Sequence, residues 1–148
     1  MSADERVRVE LDTTERRFLR AALLDWGGPA KPTDEIAAAI GFSDAARLSG
    51  EASRLWDAIE ANEGTTVSNW RRALLAAEIV IASDVVGSGL DWTFTSGFSD
   101  EKSIAILRGL QRKLPRWRAS VQFRVDDEGN VTLADSGRPH AFGSGQTD

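Results

Sequence analysis

The chain has 148 residues, a formal net charge of −5 and a pI near 5.0. It holds no cysteine, which excludes disulfides, thiolate metal sites and a cysteine nucleophile. An acidic balance also speaks against nucleic acid as the main partner, because phosphate backbones reward clustered Lys and Arg.

The N-terminal "MSADERVRVEL" is charged and has no apolar signal region. The longest apolar run, 73–82, is broken by Glu78 and falls short of the ~20 residues a membrane span needs. These features predict a cytoplasmic protein with no membrane partner, and the excess of Arg over Lys with abundant Ala points to a bacterial, high-GC source.

"RVRVEL" alternates Val7, Val9 and Leu11 with charged residues, the period of a half-buried strand. "DTTE" then fits a capping box, with Asp12 as N-cap and Glu15 at N3. Phe18, Leu19, Ala22, Leu23 and Trp26 recur at three and four, which predicts a first helix ended by "GGPAKP". A short second helix starts at Thr33 and runs to Gly41. The third is predicted from Ser43 as cap, with Leu48, Ala52, Leu55, Trp56 and Ile59 on one face. Gly50 inside it signals a break or a close helix crossing.

Ser68 is read as the cap of a fourth helix from Asn69 to about Val86. It is apolar nearly all round, so it is expected at the centre of the fold. Ser99 caps a fifth helix, with Asp100 and Glu101 in the first turn and Arg112 and Lys113 in the last, as the helix dipole favours. Ile104, Leu107, Leu110 and Leu114 are expected to face inward, and Pro115 ends the helix. "VQFRV" and "NVTLA" flank "DDEG" and predict a hairpin. The expected architecture is a mainly α, single-domain bundle of about five helices around a buried fourth helix. A small antiparallel sheet combines the N-terminal strand with the C-terminal hairpin. Residues 1–135 form the domain and 136–148 a disordered tail.

Catalytic chemistry has little to stand on. The lone histidine, His140, lies in that tail, and a serine–histidine–acid triad needs an ordered histidine in a cleft. No metal-ligand spacing occurs, so neither metal nor cofactor is expected, and "DDE" at 126–128 reads as a turn. "GSG" at 87–89 follows a helix, whereas phosphate loops precede one.

Two binding readings remain. "IAAAIGFSD", within 33–54, resembles the second helix-turn-helix of AraC-type regulators, over about twenty residues. The resemblance implies a DNA-binding transcriptional regulator. The chain departs from that pattern in the second helix, where Gly50, Glu51 and Ser53 replace basic residues and Asp44 leads the helix. The leading expectation is a non-catalytic protein-binding module of regulatory, adaptor or immunity type, with another protein as partner.

Its candidate contact residues are Asp84, Asp91, Trp92 and Phe94 in the aromatic loop, and Arg116, Trp117 and Arg118 in a basic cluster. Asp84 falls on the apolar face of the fourth helix by helical wheel. It is expected to be buried there, accepting hydrogen bonds from donors after Gly87 or from an arginine, and so pinning "GLDW" to the bundle. The alternative is a carboxylate at the floor of a pocket roofed by Trp92.

Overall fold

The structure, a computed structural model, describes residues 2–61, 64–115 and 121–135. The chain divides into two units, 1–117 and 118–148. The first runs β1 (Arg6–Val7), α1 (Thr13–Leu24), α2 (Asp34–Ile40), α3 (Ala45–Glu60), β2 (Thr65–Thr66), α4 (Val67–Ala82), α5 (Trp92–Ser96) and α6 (Asp100–Lys113). The second contains β3 (Val121–Val125) and β4 (Val131–Asp135), an antiparallel hairpin with Val125 opposite Val131. The five expected helices and the mainly α architecture are present, and α5 is an addition. The basic cluster 116–118, His140 and the tail 136–148 lie outside the described residues.

Helix starts follow the side-chain oxygens. Asp12 accepts from the Glu15 amide at 2.7 Å while Glu15 returns the bond to the Asp12 amide at 3.0 Å, a complete capping box. Thr33 caps α2 and Ser99 caps α6, each through the amide three residues on. Two caps differ from expectation. Asp44, not Ser43, caps α3, and it also holds the Arg47 guanidinium at 3.1 Å. Thr66, not Ser68, caps α4. The second shift has a tertiary cause. β1 pairs antiparallel with Thr65–Thr66, and the Val67 and Ser68 amides bond to the Glu5 and Ala3 carbonyls. The N-terminal strand thus finds its ladder partner at the start of α4, and the hairpin is a two-stranded sheet of its own. The Trp70 indole N–H donates to the Val7 carbonyl at 2.9 Å and fastens the strand to the core.

Packing centres on α4, which meets α1, α2, α3 and α6. Its buried residues, Trp70, Ala73, Leu74, Ala77 and Val80 among them, fill the interior. Phe18 of α1 sits between two aromatic edges, with the Trp92 and Phe98 ring centroids each 5.4 Å away and nearly perpendicular. Edge-to-face pairs of this kind contribute about 0.5–1.5 kcal/mol beyond burial of area. α3 is continuous through Gly50, which is exposed and meets no neighbouring helix, so the expected break or crossing is absent. Among the described residues, no helix is long and apolar enough to cross a membrane.

α4 stops at Ala82, four residues before the expected end. Ser83 is already extended (φ −93°, ψ 120°), and the chain doubles back over the helix terminus. The Gly87 amide bonds to the Ser83 carbonyl at 3.0 Å, and the Ser88 amide to the Val80 carbonyl at 2.7 Å. These donors satisfy carbonyls that a helix end otherwise leaves open. Only glycine fits this return. A Cβ at position 87 would lie 2.4 Å from the Ile79 carbonyl oxygen, and one at 89, where φ is +47°, would lie 2.3 Å from Asp84.

Candidate functional site

The turn that follows α4 is fastened from three sides. The most buried carboxylate in this region belongs to Asp25, in the single 3₁₀ turn after α1. One of its oxygens accepts from the Ser88 hydroxyl at 2.7 Å and from the Thr95 hydroxyl of α5 at 2.6 Å. The Lys31 amide, from the same α1–α2 connection, bonds to the Val86 carbonyl at 2.9 Å. On the other side, the Trp92 indole N–H donates to the Ser103 hydroxyl of α6 at 2.8 Å. A segment of about twenty residues, with two short helical turns, is thereby locked to α1, α4 and α6.

That lock leaves large apolar side chains outside. Phe94 is 86% exposed, Val85 84%, Leu90 79% and Ile104 50%. Scattered exposed aliphatics are ordinary, but several on one fastened segment, two of them lining a common groove, suit an interaction surface. Between α4, the 3₁₀ turn at Gly89–Asp91, α5 and α6 runs an open groove of about 430 Å³. Ile81, Leu90, Thr93, Ile104 and Leu107 line it, with Asp84 and Asp100 as its charged members.

The candidate residues are distributed unevenly over this surface. Asp84 lies at the groove, and its Oδ1 accepts from the Leu90 amide at 2.9 Å. The expected acceptor role toward a donor after Gly87 is what the structure has. The expected burial is not: α4 has ended, the wheel no longer applies, and the side chain is exposed. Phe94 and Asp91 are exposed on the same segment. Trp92 is fully buried against Phe18 and cannot be a contact residue, nor can it roof a pocket over Asp84. It turns inward because its indole N–H has a buried partner in Ser103.

Ile104 was expected inside and is half exposed. The buried stripe of α6 is Ser103, Leu107, Leu110 and Leu114, so the helix is rotated by one residue from the purely apolar stripe. Leu90, Val85 and Asp25 were not singled out from the sequence. The available signal was Ser103, four residues before Leu107, which is where a buried hydroxyl meets a tryptophan.

A second cavity, of about 410 Å³, lies beside α3 and α4, lined by Phe42, Glu51, Arg54, Asn69 and Arg72 among others. The Glu51 carboxylate accepts from the Ser43 hydroxyl at 2.5 Å and the Ser43 amide at 2.9 Å. These bonds, chiefly that from the Ser43 hydroxyl, hold Glu51 below the usual carboxylate range, with smaller help from Arg54 and Arg72. The Arg72 guanidinium stacks over Phe42, 5.6 Å from the ring centroid.

The leading end of α3 is acidic. Asp44 takes the Arg47 amide, and Asp34 takes the Ala45 amide at 2.9 Å. Donors that a recognition helix would offer to phosphate are therefore already held by carboxylates. In the hairpin, Asp126 accepts from the Glu128 and Asn130 amides and from the Asn130 side chain. The Asn130 bonds hold its carboxyl below the usual range, and "DDE" is the turn expected. Among the described residues, no three His, Asp or Glu side chains gather as metal ligands would.

Compared with known protein families, curated proteins and solved structures, the chain matches none.

Proposed function

We propose that this chain is a non-catalytic protein-binding module, of regulatory, adaptor or immunity type, and that a partner protein docks on the surface formed by residues 84–104. The observation that carries the reading is the exposure of Val85, Leu90, Phe94 and Ile104 on a segment fastened through Asp25, Asp84 and Ser103. A chain that holds apolar groups outward at fixed positions forgoes burying them, and docking recovers about 1.5–3 kcal/mol for each large side chain that becomes covered. A bacterial cytoplasmic setting is part of the same reading, supported by the excess of Arg over Lys and the abundance of Ala.

Paired captures from source lysate test it, with the wild-type chain and a Leu90→Asp/Ile104→Asp variant as baits. The reading expects a stoichiometric partner on the wild type that is lost from the variant while circular dichroism stays the same. Capture of the same partner by both baits would place the interface elsewhere. An empty wild-type bait across several salt concentrations would overturn the reading.

The runner-up, DNA binding through residues 33–54, has no observation in its favour beyond the helix–turn–helix order. The carboxylates of Asp34 and Asp44 at the leading end of α3 count against it.

A further inference from the structure

The charge of the chain is not spread evenly. Between Arg72 and Lys102 there are 29 residues without one Lys, Arg or His, and they hold Glu78, Asp84, Asp91, Asp100 and Glu101. The remaining residues carry 18 acidic and 18 basic side chains. The whole formal charge of −5 therefore resides in the segment that builds the groove. Both charged residues that line the groove are aspartates. Asp84 uses one carboxylate oxygen for the Leu90 amide; among the described residues, its second oxygen and the Asp100 carboxylate have no side-chain hydrogen bond or ion pair.

The walls limit the shape of an occupant. None of the groove's lining residues belongs to a strand, and the Leu90 amide beside it is already taken by Asp84. An extended peptide would find no ladder of free N–H and C=O groups to join. Recognition has to come from side chains entering an apolar trough, which is how an amphipathic helix docks. On α6, Asp100, Ile104 and Leu107 recur at four and three along one face of the groove. A helix laid beside them meets apolar contacts flanked by carboxylate. A second copy of this chain would bring the groove's two aspartates against two more, which repel.

Resting on the reading of this surface as a docking site, we propose that its occupant is a cationic amphipathic helix of a partner protein. Apolar side chains at i, i+3 or i+4, and i+7 enter the groove against Leu90, Ile104 and Leu107. Lys or Arg residues flanking that stripe pair with Asp84 and Asp100.

The probe is a labelled Leu/Lys amphipathic peptide of about 18 residues, five helical turns. It is run beside an isomer with the same composition but its helical period shuffled, and beside a Glu-for-Lys version. Anisotropy is read at about 0.15 M salt, where exposed charges are screened beyond about 8 Å. The proposal expects micromolar affinity for the amphipathic cation and at least about tenfold weaker binding of both controls. It expects a similar loss for Leu90→Ser/Ile104→Ser and for Asp84→Asn/Asp100→Asn, with melting temperatures near wild type. Equal binding of the shuffled isomer, or unchanged binding by the Leu90→Ser/Ile104→Ser chain, would overturn it as mere charge attraction. If the peptide fails while lysate capture still depends on Leu90 and Ile104, the docking surface stands and the cationic helix is wrong. If both fail, the docking reading falls with it. A concentration-dependent dimer that Leu90→Ser abolishes would assign the groove to a second copy and also overturn the proposal.

Discussion

Replacing Asp25 with alanine removes the acceptor that joins the end of α1 to the turn after α4 and to α5. Hydrogen bonds to a charged group contribute about 1.5–3 kcal/mol each, and Asp25 receives two, at 2.7 Å and 2.6 Å. Two corrections bring the sum down and a third raises it. Thr95 has fallback acceptors, the Trp92 and Asp91 carbonyls at 3.3 Å and 3.4 Å. Asp25 is 8% exposed and has no ion-pair partner among the described residues, so removing it also relieves the desolvation of a charge. Ser88 is buried, and its stranded hydroxyl then costs about 1–3 kcal/mol.

The expected net loss is about 2–3 kcal/mol, or roughly 8–12 °C in melting temperature for a domain of this size. Asp25→Asn, which keeps an acceptor without the charge, is expected to lose about 1 kcal/mol. Urea unfolding of Asp25→Ala, Ser88→Ala and the double variant gives the coupling between the two, expected near 1 kcal/mol or more. An Asp25→Ala chain within about 0.5 kcal/mol of wild type, or a coupling of zero, would refute the argument.

Three further outcomes follow from the geometry. Gly50→Ala and Gly109→Ala should each raise stability by about 0.5–1 kcal/mol, additively in urea unfolding. Both lie inside helices, and a Cβ meets nothing closer than the Arg54 guanidinium at 3.6 Å from position 50 and nothing within 4 Å at 109. Asp84→Ala should cost about 1 kcal/mol, not the 3–5 kcal/mol of a stranded buried charge, since the exposed carboxylate loses one bond to the Leu90 amide. Glu51→Gln should lower stability at neutral pH. The folded state holds the Glu51 carboxyl below its ordinary range, so its contribution is complete above that range and is lost as the pH falls through the lowered value. The gap between variant and wild type in urea should narrow as the pH falls below the ordinary glutamate value of about 4.3.

Local chemistry was readable from single residues, while tertiary decisions were not. The capping box at Asp12 and Glu15 and the cap at Ser99 depend on neighbours three residues away, and they stand as the sequence implies. Thr66 displaced Ser68 because β1, some sixty residues earlier, pairs with the residues just before α4. The wheel that buried Asp84 assumed a helix that continues to Val86. The chain instead turns at Ser83, where Gly87 brings amides to the last carbonyls more favourably than another turn of helix. α5 went unseen because its five residues include two threonines and no periodic stretch, and tertiary contacts through Trp92 and Thr95 hold it. Of the surface residues, Asp84, Asp91 and Phe94 were legible as loop members. Leu90 was passed over within a loop taken as a whole, and Ile104 was lost to a one-residue rotation that Ser103 and Trp92 decide together.

The Ser88–Asp25 contact closes a separation of 63 residues and the Thr95–Asp25 contact one of 70. Links of such high sequence separation are expected to form after α1 and α4 have packed, on the native side of the folding barrier. Substitutions at Ser88 should accelerate unfolding and leave the folding rate nearly unchanged. The exposed face of residues 84–104 therefore takes its arrangement from contacts with Asp25 that are distant in sequence. A partner that recognises this face reads a finished chain: a nascent, truncated or partly opened copy offers the same residues without their arrangement, and binding in turn raises the global stability of the copies that have it.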